Sequence, residues 1–368
     1  MLKSRAFIFY NLSLSGGTQY MTSRERVRLS FDHREPDRVP CWCGASPEFL
    51  VKAQTVLGTD EEGFRLRIGD DFRRVYAKYA GPDMNLSPGC TWRSPFGIER
   101  TGLGYGQPTE HPLKNISTVK EVLDFPWPDP AWMDVSSARS EALAWKGEYA
   151  MLGGDWSPFW HDVIDLTGME QLYYMMYDCP EVVSLLFEKV TDFYFKVSEN
   201  MFEAAGDAID IFFIGNDFGS QTGPLVGADL FERFIMPSLK RLIDLGRRYS
   251  QKVMLHCCGG FRPLIPMMIE AGLDGVHALQ PFTTGMEPSS LKRDFGGKLL
   301  LNGAIDSQSA LIEGTPETAR QETLRILGIM APGGGYVAGA SHDYLLEETP
   351  LENVLSMYDT IMEYGIKK

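Results

Sequence analysis

The chain has 368 residues, 44% of them hydrophobic and 23% charged, which suits one large α/β barrel as well as two smaller domains. A formal net charge of −14 excludes a general nucleic-acid binder, which needs a basic face for phosphates, and disfavours a highly anionic substrate unless arginines gather locally. No run of about 18 apolar residues is present, so no membrane span is expected. The cysteines (Cys41, Cys43, Cys90, Cys179, Cys257 and Cys258) lack disulfide-like spacing and point to free thiols in a reducing cytoplasm.

Residues 1–20 hold a brief apolar patch at 6–10, too short for a secretory core, and read as a disordered or loosely attached extension. A folded unit is expected over 21–368. Thr22 or Ser23 caps a helix to residue 30, a strand is expected over 39–44, and Ser46 with Pro47 and Glu48 opens the next helix. Residues 81–130, rich in Gly, Pro and aromatics, read as an insertion that walls one face, with a small hairpin near 98–105.

A strand over 150–153 ends at Gly154-Asp155-Trp156-Ser157-Pro158, and helices over 168–177 and 180–205 follow. The second buries Val182, Leu186, Val190, Phe193, Val197 and Met201, spaced by three or four along one face. Met175 and Met176 read as core. From there strands and helices alternate. Strands over 208–215, 252–255, 275–279, 298–301 and 336–339 are separated by helices over 229–249 (broken at Pro237), 262–271, 289–295 and 315–330, and a helix over 351–364 closes the chain. Such alternation predicts parallel strands with right-handed crossovers, and its count predicts a single (β/α)8 TIM barrel. No G-x-G-x-x-G or Walker signature follows any strand.

Asp155, Asn216, Asp217, His256, Cys258, Gln280, Asn302, Asp306 and His342 all follow predicted strand carboxyl ends, where barrels place their active sites. In the 252–260 stretch, side-chain alternation turns His256 and Cys258 one way and Cys257 the other. A His-x-Cys pair suits zinc but needs a third ligand. The plain alternative is small thiols packed under a glycine turn.

Three segments together resemble the uroporphyrinogen decarboxylase superfamily, from about residue 24 onward. They are Gly154-Asp155-Trp156-Ser157-Pro158-Phe159, Gly303-Ala304-Ile305-Asp306, and Ala340-Ser341-His342-Asp343 with Glu348-Thr349-Pro350-Leu351-Glu352-Asn353-Val354. The resemblance implies one of two chemistries. True decarboxylases hold an octa-carboxylate tetrapyrrole with two arginines near the first strand, but here residues 39–46 contain none. Asp70 or Asp71 is similar to the family's catalytic aspartate.

The other branch, cobalamin-dependent methyltransferases, fits better. Its zinc ligands begin with His-x-Cys, matched by His256 and Cys258. Its third cysteine is replaced by Pro332-Gly333-Gly334-Gly335, so either His342 or an acidic rim residue such as Asp217 is the third ligand, or the site holds no zinc. The resemblance thus implies a corrinoid-linked methyltransferase for a small methoxy, methylamine or methanol-type substrate. Zinc, and a corrinoid carried by a partner protein, are its expected cofactors, and a homodimer is one expected assembly. His342, Asp217 and Asp306 are the expected catalytic residues. Asp155, Trp156, Asn216, Gln280 and Asn302 are expected to bind substrate. A tetrapyrrole decarboxylase and a non-catalytic corrinoid-docking module are the alternatives.

Overall fold

Seven parallel strands curl around one axis in the computed structural model, which describes residues 21–102 and 106–366. They are β1 (Phe72–Arg74), β2 (Ala150–Gly153), β3 (Ile211–Gly215), β4 (Lys252–His256), β5 (Gly275–Leu279), β6 (Leu300–Ile305) and β7 (Tyr336–Ala340), hydrogen-bonded in chain order. The eighth stave is the segment around Cys41, which bridges Asp70 on one side and Ala338 on the other. Ala338 donates to the Pro40 carbonyl (2.8 Å), Trp42 to the Ala338 carbonyl (2.9 Å) and Asp71 to the Cys41 carbonyl (3.0 Å), which closes an α/β barrel of the expected class.

That first stave is shorter than the expected strand over 39–44. Pro40 has no N–H to donate, and the Trp42 carbonyl accepts instead from the Tyr358 hydroxyl at 2.7 Å. The strand β1 was not expected at all, because its Arg73 and Arg74 hide a three-residue stave in a charged run. The strand expected over 298–301 runs on to Ile305, so Asn302 lies inside the ladder opposite Val337 instead of after it. Where Pro237 removes a backbone donor, the long helix changes from a wider turn over Phe231–Ile235 to Met236–Arg248.

Apolar side chains fill the barrel's lower interior: Phe72, Leu152, Ile211, Phe213, Met254, Leu300 and Val337 pack with Trp42. The helix Ser23–Phe31, held by a Thr22–Glu25 capping box, puts Val27 and Phe31 under this layer and plugs the amino end. Access is therefore from the carboxyl rim.

Asp71, fully buried at the plugged end, accepts from Arg26 (2.8 Å), from Arg38 (2.7 and 2.9 Å) and from the Cys41 amide (2.7 Å). Its neighbour Asp70 is tied to Arg65 at 2.6 Å. Both precede β1, at the end away from the mouth. Neither is placed as a catalytic aspartate, contrary to the resemblance.

The chain between β1 and β2 carries a small antiparallel sheet of Trp92–Arg93, Glu99–Thr101 and Gln107–Pro108. Phe96 seals it onto the helix Pro180–Ala205 through Phe193 and Tyr194, with ring centroids 5.3 and 5.8 Å away. The Leu113 amide reaches the Leu166 carbonyl at 2.8 Å on the helix Phe159–Thr167. The expected extension at 1–20 and the expected hairpin's residues 103–105 lie outside the described residues. No described helix is long and apolar enough to cross a membrane.

Candidate metal centre at the barrel mouth

The strands β3 and β4 pair in register, Gly215 opposite His256, so the residues that follow them meet at the rim. Gly215 leaves room for the Trp156 indole, whose atoms would lie 1.8 Å from a Cβ at that position. The indole in turn covers His256, with ring centroids 5.4 Å apart.

Asp217, His256 and Cys258 bring an oxygen, a nitrogen and a sulfur within 4.8 Å of one another. His256 Nε2 lies 3.3 Å from Asp217 Oδ1 and 3.4 Å from Cys258 Sγ. The Cys258 amide donates to the same Asp217 oxygen at 2.7 Å, so one carboxylate fixes both neighbours. Cys257 points the other way, buried, and accepts from the Phe218 amide at 3.3 Å.

On its far side His256 Nδ1 meets Nδ1 of His277 at 3.0 Å. His277, fully buried on β5 and paired with His256 across the ladder, was not singled out by the sequence. Its Nδ1 lies 4.0 Å from Asp343 Oδ1, and His256, His277 and Asp343 form a second close donor group.

Burial opposes charge on His256, yet Cys258, Asp343 and Asp217 raise its proton affinity well above the imidazole range. Burial would raise Asp217, but the bonds and charges of His256 and His161 and the Cys258 amide hold it well below the carboxylate range. Burial raises the Cys258 thiol, and His256 offsets only part of that. Burial, then the charge of His256, keeps His277 neutral. Of the two Nδ1 atoms that meet, one donates and the other accepts, and which does so depends on the tautomers of the two rings.

The remaining expected residues divide. Asn216 is fully buried and spends its amide on the backbone, accepting from Trp160 N (2.9 Å) and donating to the Ser157 carbonyl (3.0 Å). It is a brace behind the rim and not a substrate contact. Asp306 caps the turn over Ser307–Ile312, accepting from the Gln308 and Ser309 amides at 3.0 and 2.9 Å. Its lone pairs are committed to that cap, which argues against a proton-transfer role. Gln280 Oε1 accepts from the Gly259 amide at 2.8 Å and anchors the glycine turn. Asp155 is raised by burial and accepts from the Ser157 amide at 3.0 Å.

His342 stands apart from the donor cluster. Its Nδ1 lies 2.9 Å from the Tyr344 carbonyl, and its ring borders a cleft of about 210 Å³ with Gln280, Phe282, Asp306 and Ser341. This cleft runs beside the cluster and shares no donor with it. Of the two expected third ligands, Asp217 is therefore the one brought to His256 and Cys258.

Arg74 was also missed. From the end of β1 its guanidinium sits over Tyr76, Trp156 and Phe213, 4.7, 5.3 and 5.3 Å from the ring centroids. The segment 39–46 brings no arginine to the mouth, but β1 does.

A sequence profile of the family described as Uroporphyrinogen decarboxylase (URO-D) matches residues 140–364. The methylcobamide:CoM methyltransferase MtbA of Methanosarcina acetivorans is 22% identical over 188 residues, 50% of this chain and 50% of that protein. The chain thus spans about half the length of that methyltransferase. The uroporphyrinogen decarboxylase of Pseudoalteromonas translucida is 23% identical over 279 residues, 72% of this chain and 73% of that protein. A solved methyltransferase from Methanosarcina mazei superposes with a TM-score of 0.65 over 94% of this chain and 99% of that one, at 16% identity, a likeness of fold.

Proposed function

The chain belongs to the uroporphyrinogen decarboxylase family, and within it we propose a cytoplasmic, corrinoid-linked methyltransferase for a small methylated substrate of the methoxy, methylamine or methanol type. The observation that carries this reading is the oxygen, nitrogen and sulfur donor set of Asp217, His256 and Cys258 at the open end of the barrel. Carboxylate, imidazole and thiolate are zinc's ligand types, and three protein ligands leave a position for a reacting group. The His256 ring is also tied at its second nitrogen, as metal-bound imidazoles usually are. The donor set fits zinc. Bound there, zinc would supply Lewis acidity, easing ionisation of a thiol or polarising an ether oxygen.

The chain's own residues prepare the rest. Asp217 positions Cys258 through its amide and sets its own carboxylate beside His256 Nε2 as the neighbouring ligand. His277 fixes the His256 ring from behind. Trp156 roofs His256 and keeps water from that face. His342, whose Nδ1 can accept from the Tyr344 amide of its own loop at 3.2 Å, then carries its proton on Nε2, ready to pass to a leaving group at the rim. The corrinoid would arrive on a partner protein at the same rim.

Incubation with methylcobalamin and a thiol should consume methylcobalamin, read from its visible spectrum, and yield a methyl thioether. Uroporphyrinogen should give no coproporphyrinogen. Efficient decarboxylation without methyl transfer would overturn the proposal in favour of the family's other chemistry.

A further inference from the structure

Arg74 has no part in the donor cluster, yet β1 aims it at the mouth. It is two residues beyond Phe72, which packs in the barrel interior, so alternation turns both side chains inward. Among the described residues no carboxylate lies within ion-pair distance of it, although its charge reaches the buried Asp155, and its Nε is buried without a hydrogen-bond partner. Aromatic rings hold the guanidinium in place without consuming its donors.

Other polar atoms that face the same barrel interior, in this layer and just beneath it, are likewise unmatched. His277 Nε2 and Trp42 Nε1 are buried polar atoms without partners. Their rings lie 4.7 Å apart, and His277 is 5.4 Å from Phe213, the ring beneath Arg74. Asn302 is fully buried with neither amide atom bonded, on the strand face it shares with the interior Leu300. Buried donors without partners are costly, and this layer holds mostly donors. They are chemically complementary to a compact oxyanion.

We propose that the methylated substrate carries a carboxylate, and that Arg74 binds it while the methyl-bearing atom reaches the Asp217–His256–Cys258 cluster. The proposal rests on the methyl-transfer reading for the identity of the second group. Geometry limits the substrate's length. The Trp156 ring centroid is 5.3 Å from the Arg74 guanidinium and 5.4 Å from the His256 ring, so both ends of the substrate meet the same indole and only a short molecule spans them. The guanidinium fork suits a planar carboxylate held by two parallel bonds.

Calorimetric titration of the full-length protein tests this with matched probes: methoxyacetate, 3-methoxypropionate and N,N-dimethylglycine, each against its neutral amide. At least one acid should bind at least about tenfold more tightly than its amide, the scale of a charge-assisted pair. Arg74→Gln should abolish that preference while leaving the thermal midpoint and zinc content near those of the parent. Arg74→Lys should restore part of it. The anion site is overturned if no acid outbinds its amide in the parent, or if the preference survives in Arg74→Gln. These titrations need no corrinoid, so their failure leaves methyl transfer standing. A bound acid that is never demethylated would count against methyl transfer alone.

Discussion

At the scale of single residues, the adjacent cysteines Cys257 and Cys258 make the most direct test. They share a backbone turn but face opposite layers, one at the donor cluster and one in the packed core. Zinc measured on the purified protein should be stoichiometric, should vanish in Cys258→Ser and Asp217→Ala, and should persist in Cys257→Ser and His342→Ala. Equal loss in both cysteine variants would sink the ligand assignment.

A second residue-scale prediction concerns pH. Burial pushes the Asp162 carboxyl up to about 7, against the lowering effects of the Tyr194 hydroxyl and Arg100, while Asp155 adds to the rise. The folded state thus holds this proton more tightly than the unfolded chain does. Stability from this group is fullest below the ordinary carboxyl range and is lost as pH climbs to about 7, an effect on the order of a few kcal/mol. Between pH 5 and 8 the thermal midpoint of Asp162→Asn should fall less steeply than the parent's. Parallel slopes would refute the assignment.

What the sequence revealed at this scale follows from chain position. His256, Cys258 and Asp217 were legible because strand ends in barrels carry chemistry. His277 was not, since its role depends on lying opposite His256 in the ladder, a register that no local pattern encodes. Asp306 looked catalytic for the same reason that it is a cap: a carboxylate before a helical turn serves either purpose.

At the scale of elements, Gly215 shows how a strand end shapes the site. A methyl group there would collide with Trp156, so Gly215→Ala must push the indole off His256. The expected cost is about 1–3 kcal/mol in chemical denaturation, with a changed tryptophan emission maximum. Unchanged emission would show that the indole does not lie over the strand end.

The long elements were readable from the sequence because periodicity is strong over many residues. The helix Pro180–Ala205 buries all six apolar positions expected of it. The stave around Cys41 and β1 were misjudged or missed because each is only a few residues long and interrupted by proline or charge. Their partners in the barrel, not their own composition, make them strands.

At the scale of the whole molecule, we propose residues 21–368 as one barrel unit, and its closure depends on Asp71. One buried carboxylate joins three separate pieces: the plug helix through Arg26, the chain ahead of the first stave through Arg38, and the stave itself through the Cys41 amide. Burying a carboxylate is unfavourable by itself, but here two guanidinium groups and a backbone donor match its lone pairs. Removing it would take from Arg38 its carboxylate partner and leave the almost wholly buried Arg26 with Asp37 as its remaining one. Asp71→Ala should therefore destabilise the fold by about 3–5 kcal/mol, read as a shifted denaturation midpoint. Because this knot lies at the plugged end, the zinc content and turnover of the protein that remains folded should stay near those of the parent. A catalytic aspartate would behave in the opposite way, with turnover lost and the midpoint kept. That second pattern would mean that the resemblance to the decarboxylases extends to the position of their aspartate, and that the mouth described here is not where the chemistry occurs.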